Sequence, residues 1–228
     1  MTVAAVVLAE TTGDALRPAG GVSAARQVAD TAWAGGALPI VVVAPDPEGA
    51  LAASLARSEA DVISPSDERL PPGAEHGQDT ARDGHPLLRG ARAALARVGE
   101  TTAVLAWPVQ MAWVDAATVT ALLEAHAAAP DTLIRPTWKG TLGWPVLVPL
   151  TLLLDRPDLA ALPHPAALLD ALERGGARVR TLDLGDPGVA LSTDTARAAL
   201  PPFEGPDQPV TGHPPDWGAD VARVAPER

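Results

Sequence analysis

Residues 3–44 read VAAVVLAETTGDALRPAGGVSAARQVADTAWAGGALPIVVVA, and they decide the fold class. Val3–Ala9 is an unbroken apolar run of strand length, rich in valine, as is Leu38–Ala44. Runs of this kind suit strands buried on both faces. Between them Val22–Ala34 has helical spacing, and Gly35-Gly36 is a helix stop. Strand, helix, strand is a βαβ unit, whose crossover is right-handed.

The alternation continues downstream. Helices are expected over Pro47–Arg57, His85–Val98, Ala116–Ala128, His164–Arg174 and Thr193–Leu200. Strands are expected over Asp61–Ser64, Thr102–Trp107, Thr132–Thr137, Pro145–Val148, Arg178–Leu184 and Val189–Leu191. A short helical turn to Asp155 follows the Pro145 strand. Pro65–Asp83 is polar and rich in Pro, Gly and Asp, so it reads as a long loop. The expected fold is α/β: a doubly wound, mostly parallel sheet with helices on both faces. It occupies residues 1–200 as one domain, with a proline-rich tail over 201–228 in which Phe203 and Trp217 are the anchoring candidates. Ligands of such sheets bind at the carboxyl ends of the strands.

The 228-residue chain carries a formal net charge of −11 and no cysteine. That charge argues against general nucleic-acid binding, though a local Lys or Arg can still hold a small anion. Disulfides, thiolate chemistry and Cys-ligated zinc are excluded. The N-terminus lacks the basic start of a signal peptide, and no apolar run approaches the ~20 residues of a membrane helix. The expectation is a cytoplasmic protein without a membrane partner.

Residues 138–150, WKGTLGWPVLVPL, place two glycines, a lysine and two tryptophans together. This is either a turn between strands or a point where backbone approaches a ligand. Pro136, Gly140, Gly143, Trp144, Pro145 and Val146 fall at the spacing of the Pro-x-x-x-Gly-x-x-Gly-His-Pro-Val segment of the MobA/MocA-like nucleotidyltransferases, with Trp144 in the His place. The chain resembles that family over roughly residues 3–200, in the nucleotide-diphospho-sugar transferase-like fold. Gln110-Met111-Ala112 stands where the family has Asp-Met-Pro, and Asp115 to Thr118 follows it as a helix start. Ser192-Thr193-Asp194-Thr195-Ala196 stands where the family has Asp-x-Asp-Thr-Pro. At the N-terminus, Leu8-Ala9-Glu10-Thr11-Thr12-Gly13-Asp14-Ala15-Leu16-Arg17 replaces a glycine-rich loop followed by Arg and Lys.

The resemblance implies nucleotide transfer to a molybdopterin-like phosphate acceptor, with Mg²⁺ as cofactor. It assigns Leu8, Ala9, Gly13 and Arg17 to the nucleotide, and Asp194 and Gln110 to the metal. Lys139, Gly140, Gly143, Trp144 and Pro145 fall to the acceptor. The implied partner is a nucleotide or pterin-like small molecule, and a homodimer is compatible with it.

The departures matter chemically. Gln110 is a neutral ligand where Mg²⁺ prefers a carboxylate. Glu10 and Asp14 put acids where phosphates would lie, each costing on the order of a kcal/mol or more in a low-dielectric site. Two functions stay open: a transferase, with Asp14 and Asp115 as spare carboxylates, or a non-catalytic binding or regulatory relative. Each residue also has an ordinary alternative. Gly140 and Gly143 suit a turn, Lys139 a solvated loop, and Trp138 and Trp144 packing. Asp194-Thr195 suits a helix N-terminus, and Asp186-Pro187-Gly188 a turn. His76, His85, Asp79 and Asp83 lie close in sequence, without the clean spacing of a metal site.

Overall fold

The computed structural model describes residues 2–65, 85–154 and 156–205. β1 (Thr2–Leu8) leads to the short helix α1 (Thr12–Leu16), then to a small hairpin of β2 (Pro18–Ala19) and β3 (Val22–Ser23). α2 (Ala24–Ala34), β4 (Ile40–Val43), α3 (Ala50–Leu55) and β5 (Ala60–Ile63) follow. After the undescribed stretch come α4 (Pro86–Arg97), β6 (Thr101–Pro108), α5 (Ala116–Ala128), β7 (Leu133–Trp138), β8 (Thr141–Leu142) and β9 (Val146–Pro149). α6 (Pro165–Arg174) and β10 (Val179–Asp183) complete the regular elements.

The sheet runs in the order β10-β7-β9-β6-β1-β4-β5, with β8 paired to β7. β1 pairs in parallel with β4 and β6, β4 with β5, and β10 with β7. β9 is antiparallel to β6 and to β7. The sheet is thus mostly parallel, as expected.

Strand alternation separates two cores. Val3, Ala5 and Val7 face Val28, Ala29 and Ala32 of α2 and Val119 and Leu122 of α5. Ala4, Val6 and Leu8 face Leu87, Leu88, Ala91 and Ala94 of α4, in a cluster that also holds Leu168, Leu169 and Leu172 of α6. Both faces being buried explains why β1 and β4 read as continuous apolar runs. α4 approaches so closely that a Cβ on Gly90 would meet Val6 and Val43.

Several boundaries differ from expectation, each for a local reason. Val22 and Ser23 belong to a strand, because Gly20 and Gly21 take φ of 62° and 90° and close a two-residue hairpin. Ser23 then caps α2, its Oγ accepting from Arg26 N at 3.3 Å. The helix expected over Pro47–Arg57 begins only at Ala50, because the Asp46 carboxylate accepts from Leu51 N and Ala52 N at 3.0 and 2.9 Å. The strand expected over Val189–Leu191 is replaced by a 3₁₀ turn over Pro187–Val189. Asp186 organises that turn by accepting from Gly188 N at 2.8 Å. The helix expected over Thr193–Leu200 reduces to one 3₁₀ turn, Arg197–Ala199. Most of the long loop, including His76, Asp79 and Asp83, lies outside the described residues, as do residues 206–228 with Trp217. No helix among the described residues is long and apolar enough to cross a membrane.

Candidate functional site

The carboxyl ends of β1, β4 and β6 meet at one edge of the sheet. Leu8 and Ala9 spend their backbone groups extending it. Ala9 N donates to Val43 O at 3.1 Å, and Val109 N donates to Leu8 O at 2.9 Å. The free backbone therefore starts at Glu10, which is exposed. Thr11 caps α1, its Oγ1 accepting from Asp14 N at 3.1 Å and donating to Asp14 Oδ2 at 2.7 Å. Thr12 Oγ1 ties the helix to the end of β4 by donating to Pro45 O at 2.6 Å. Gly13 sits inside this helix, and a Cβ there would make only an ordinary contact with Thr11. It takes no left-handed conformation, so the β1–α1 connection is a capped helical turn.

Arg17 ends that turn. Its Nη1 reaches Asp194 Oδ1 at 2.6 Å, and its Nη2 lies 3.8 Å from Asp14 Oδ1. The Asp194 side chain is 78% exposed and that of Arg17 44%. Asp194 comes from segment 192–197, laid along this edge by three further contacts and held by one of its own. Thr193 N donates to Gln110 O at 2.8 Å, and Trp113 Nε1 donates to Thr195 O at 3.0 Å. The Arg197 guanidinium lies 5.6 Å from the Trp113 ring centroid, and Ser192 Oγ hydrogen-bonds Asp194 Oδ2 at 3.2 Å. Arg17 and Asp194 are thereby brought together, with the Gln110 backbone beside them. Asp194 starts no helix, so its ordinary reading as a cap does not hold.

The glycine-rich stretch after β7 contains the turn considered for it, and a close approach within the chain itself. Lys139 and Gly140 take φ of 49° and 79°, the signature of a two-residue hairpin turn joining β7 to β8. Lys139 Nζ lies 4.8 Å from the Trp138 ring centroid. Gly143 is instead a point of close backbone approach, and the neighbour is the chain itself. A Cβ there would run into the Val189 carbonyl. Gly143 N donates to Pro136 O and Trp144 N to Val189 O, both at 2.8 Å. Trp144 is half-buried and its bond to Pro145, which is buried, is cis. Val189 thus links this loop to the segment that carries Asp194.

Asp186, read from sequence as plain turn chemistry, is a buried hub. It is 2% exposed and accepts from Asp115 N at 2.9 Å, Thr118 Oγ1 at 2.7 Å and Gly188 N at 2.8 Å. Burial pushes its pKa up, while the hydrogen bonds from Thr118, Asp115 and Gly188 oppose the shift. Asp186 fixes the start of α5 against the turn from which segment 192–197 departs. Trp113 and Arg197 were also missed, because a hydrogen bond and a ring contact spanning some eighty residues leave no local pattern.

Asp194 and Gln110 fit a dedicated Mg²⁺ site poorly. One carboxylate oxygen is engaged by a guanidinium, the other by a hydroxyl, and Gln110 is neutral. Among the described residues no group of three or more His, Cys, Asp or Glu could hold a metal ion. Hard Mg²⁺ demands near-octahedral oxygen ligation, which this donor set does not supply with Arg17 in place.

The profile of the MobA-like NTP transferase domain matches residues 14–180. The chain belongs to this family. The match includes Arg17, Gln110 and Lys139–Pro145, and stops short of Asp194. The MobA-like chain is also similar to solved structures. The Rv0371c protein of Mycobacterium tuberculosis H37Rv, a complex with manganese, is 18% identical with a TM-score of 0.58, over 81% of this chain and 89% of that one. A nucleotidyl transferase from Methanothermobacter is 19% identical with a TM-score of 0.58, over 80% and 87%. CMP:2-keto-3-deoxy-manno-octonic acid synthetase complexed with CTP is 13% identical with a TM-score of 0.56, over 81% and 90%. At these identities the likeness is one of fold. No curated protein sequence matches the chain.

Proposed function

We propose that this MobA-like protein is a binding or regulatory relative of the nucleotidyltransferases, without metal-dependent nucleotidyl transfer of its own. The observation that carries this reading is Arg17 held between Asp14 and Asp194. In the family resemblance Arg17 is the phosphate-facing cation and Asp194 the metal ligand. Here each neutralises the other. Glu10 adds a further exposed acid to the same strand end. A triphosphate entering beside Glu10 and Asp14 meets repulsion worth on the order of a kcal/mol per acid, while Arg17 is already paired with Asp194. The domain spans residues 1–200 with 201–228 as a tail, the working compartment is the cytoplasm, and the ligand is a nucleotide or a pterin-like molecule. The Trp138–Pro145 loop offers the ligand an aromatic and cationic surface through Trp138 and Lys139. A homodimer is compatible with this role.

A second reading has family membership in its favour. The Gln110 backbone carbonyl accepts from Thr193 N and Asp194 pairs with Arg17, which is compatible with the roles the family resemblance gives these residues. Mg²⁺ there would neutralise a triphosphate and favour its attack by a phosphate acceptor of molybdopterin type. Isothermal titration with CTP, GTP and ATP, each with and without Mg²⁺, separates the two. The binder reading expects no metal-dependent micromolar affinity. Such affinity for one nucleotide, followed by pyrophosphate release, establishes the transferase instead.

A further inference from the structure

Segment 192–197 does more than pass the strand ends. Its backbone is pinned on one side to the β6–α5 loop, through Thr193 N to Gln110 O and Trp113 Nε1 to Thr195 O. Its Asp194 carboxylate crosses to the β1 side and meets Arg17 at 2.6 Å. The contact joins residues 177 apart in sequence, so it is set by the tertiary fold. We propose that Asp194 is an autoinhibitory occupant of Arg17, filling with a carboxylate the position that a phosphate group of the ligand takes when it binds. A carboxylate and a phosphate oxygen present the same charge-assisted acceptor to a guanidinium, so the two compete for one donor face. Asp14 stands 3.8 Å from the same guanidinium.

This inference rests on the reading of the strand ends as phosphate-facing. If Asp194 were a metal ligand its loss would weaken binding only where metal is present, so the test is made without metal. Pyrophosphate, CTP, GTP and ATP are titrated in EDTA into wild type, Asp194→Asn, and the double variant Arg17→Gln with Asp194→Asn. The exposed pair limits the gain to roughly two- to five-fold tighter binding of pyrophosphate by Asp194→Asn. The gain is expected to vanish in the double variant and to extend to the nucleotides. Unchanged or weaker pyrophosphate binding by Asp194→Asn overturns the inference, as does a gain that survives loss of Arg17 or a gain confined to nucleotides. Absence of binding in all three proteins overturns it too. Asp194→Ser, with thermal melts alongside, guards against a folding defect in the Asn variant. Because metal is excluded, the result is independent of whether wild type binds Mg²⁺–nucleotide, which decides the proposed function itself.

Discussion

Replacing Gly143 by alanine tests why the chain carries glycine in its WKGTLGWP loop. A Cβ at Gly143 would stand 2.8 Å from the Val189 carbonyl carbon and from the Val189 Cβ, and closer still to the carbonyl oxygen. Ordinary contacts begin near 3.4 Å. Val189 is fully buried and cannot turn away. The loop cannot lift without lengthening the hydrogen bonds from Gly143 N to Pro136 O and from Trp144 N to Val189 O. Overpacking of this kind costs about 1–3 kcal/mol. Weakening one backbone hydrogen bond adds about 1 kcal/mol. The sum, ~2–4 kcal/mol, lowers Tm by about 5–15 °C for a domain of this size. The control is Gly140→Ala. No atom lies within 4 Å of its added Cβ, so only the φ of 79° penalises it. That penalty is about 1–2 kcal/mol. Thermal melts and urea titrations of both variants measure the difference. If Gly143→Ala melts with wild type, or no lower than Gly140→Ala, the close approach to Val189 is not what requires the glycine.

Three further substitutions probe buried polar groups. Asp186→Ala leaves Asp115 N, Thr118 Oγ1 and Gly188 N without their acceptor, and urea titration is expected to register a loss of about 2–4 kcal/mol; a loss below about 1 kcal/mol would deny Asp186 its role as a hub. Because its folded pKa is raised above 3.8, the stability linked to protonating Asp186 is fully present below that value and fades as pH rises through the folded pKa. The excess of wild-type over Asp186→Asn stability should therefore grow on acidification through that window. His85 has the opposite sign. It is fully buried, its Nδ1 accepts from Leu87 N at 3.1 Å, and burial lowers its pKa below 6.5, partly opposed by a hydrogen bond to the His164 backbone. Stability linked to neutral His85 is present above 6.5 and lost as pH falls toward the folded pKa. His85→Asn keeps a capping side chain and should flatten that acid slope; an unchanged slope assigns the sensitivity to another group.

The sheet was legible because its strands are buried on both faces, so Val3–Ala9 and Leu38–Ala44 read as continuous apolar runs. The α5 span, Ala116–Ala128, was likewise legible, between the Asp115 cap and Pro130. Residues 189–200 were not. Their apolar and alanine content has helix and strand character, and tertiary hydrogen bonds to Gln110 and Trp144 override it. At the candidate site the sequence supplied the residue types at Arg17, Gln110 and Asp194, and the family spacing placed them on one edge. It could not supply the pairing. A carboxylate offered to a metal and one offered to a guanidinium read alike until the two chain ends are brought together. Gly143 reads as a turn or ligand glycine for the same reason, since its neighbour Val189 is distant in sequence.

Manganese titration followed by electron paramagnetic resonance of the free ion tests the central claim most directly. With Arg17 occupying Asp194, the free-ion signal should rise in step with added Mn²⁺ at micromolar protein, in wild type and Asp194→Asn alike. Uptake of one Mn²⁺ per chain by wild type, abolished in Asp194→Asn, would contradict the account and return these strand ends to metal-dependent transfer.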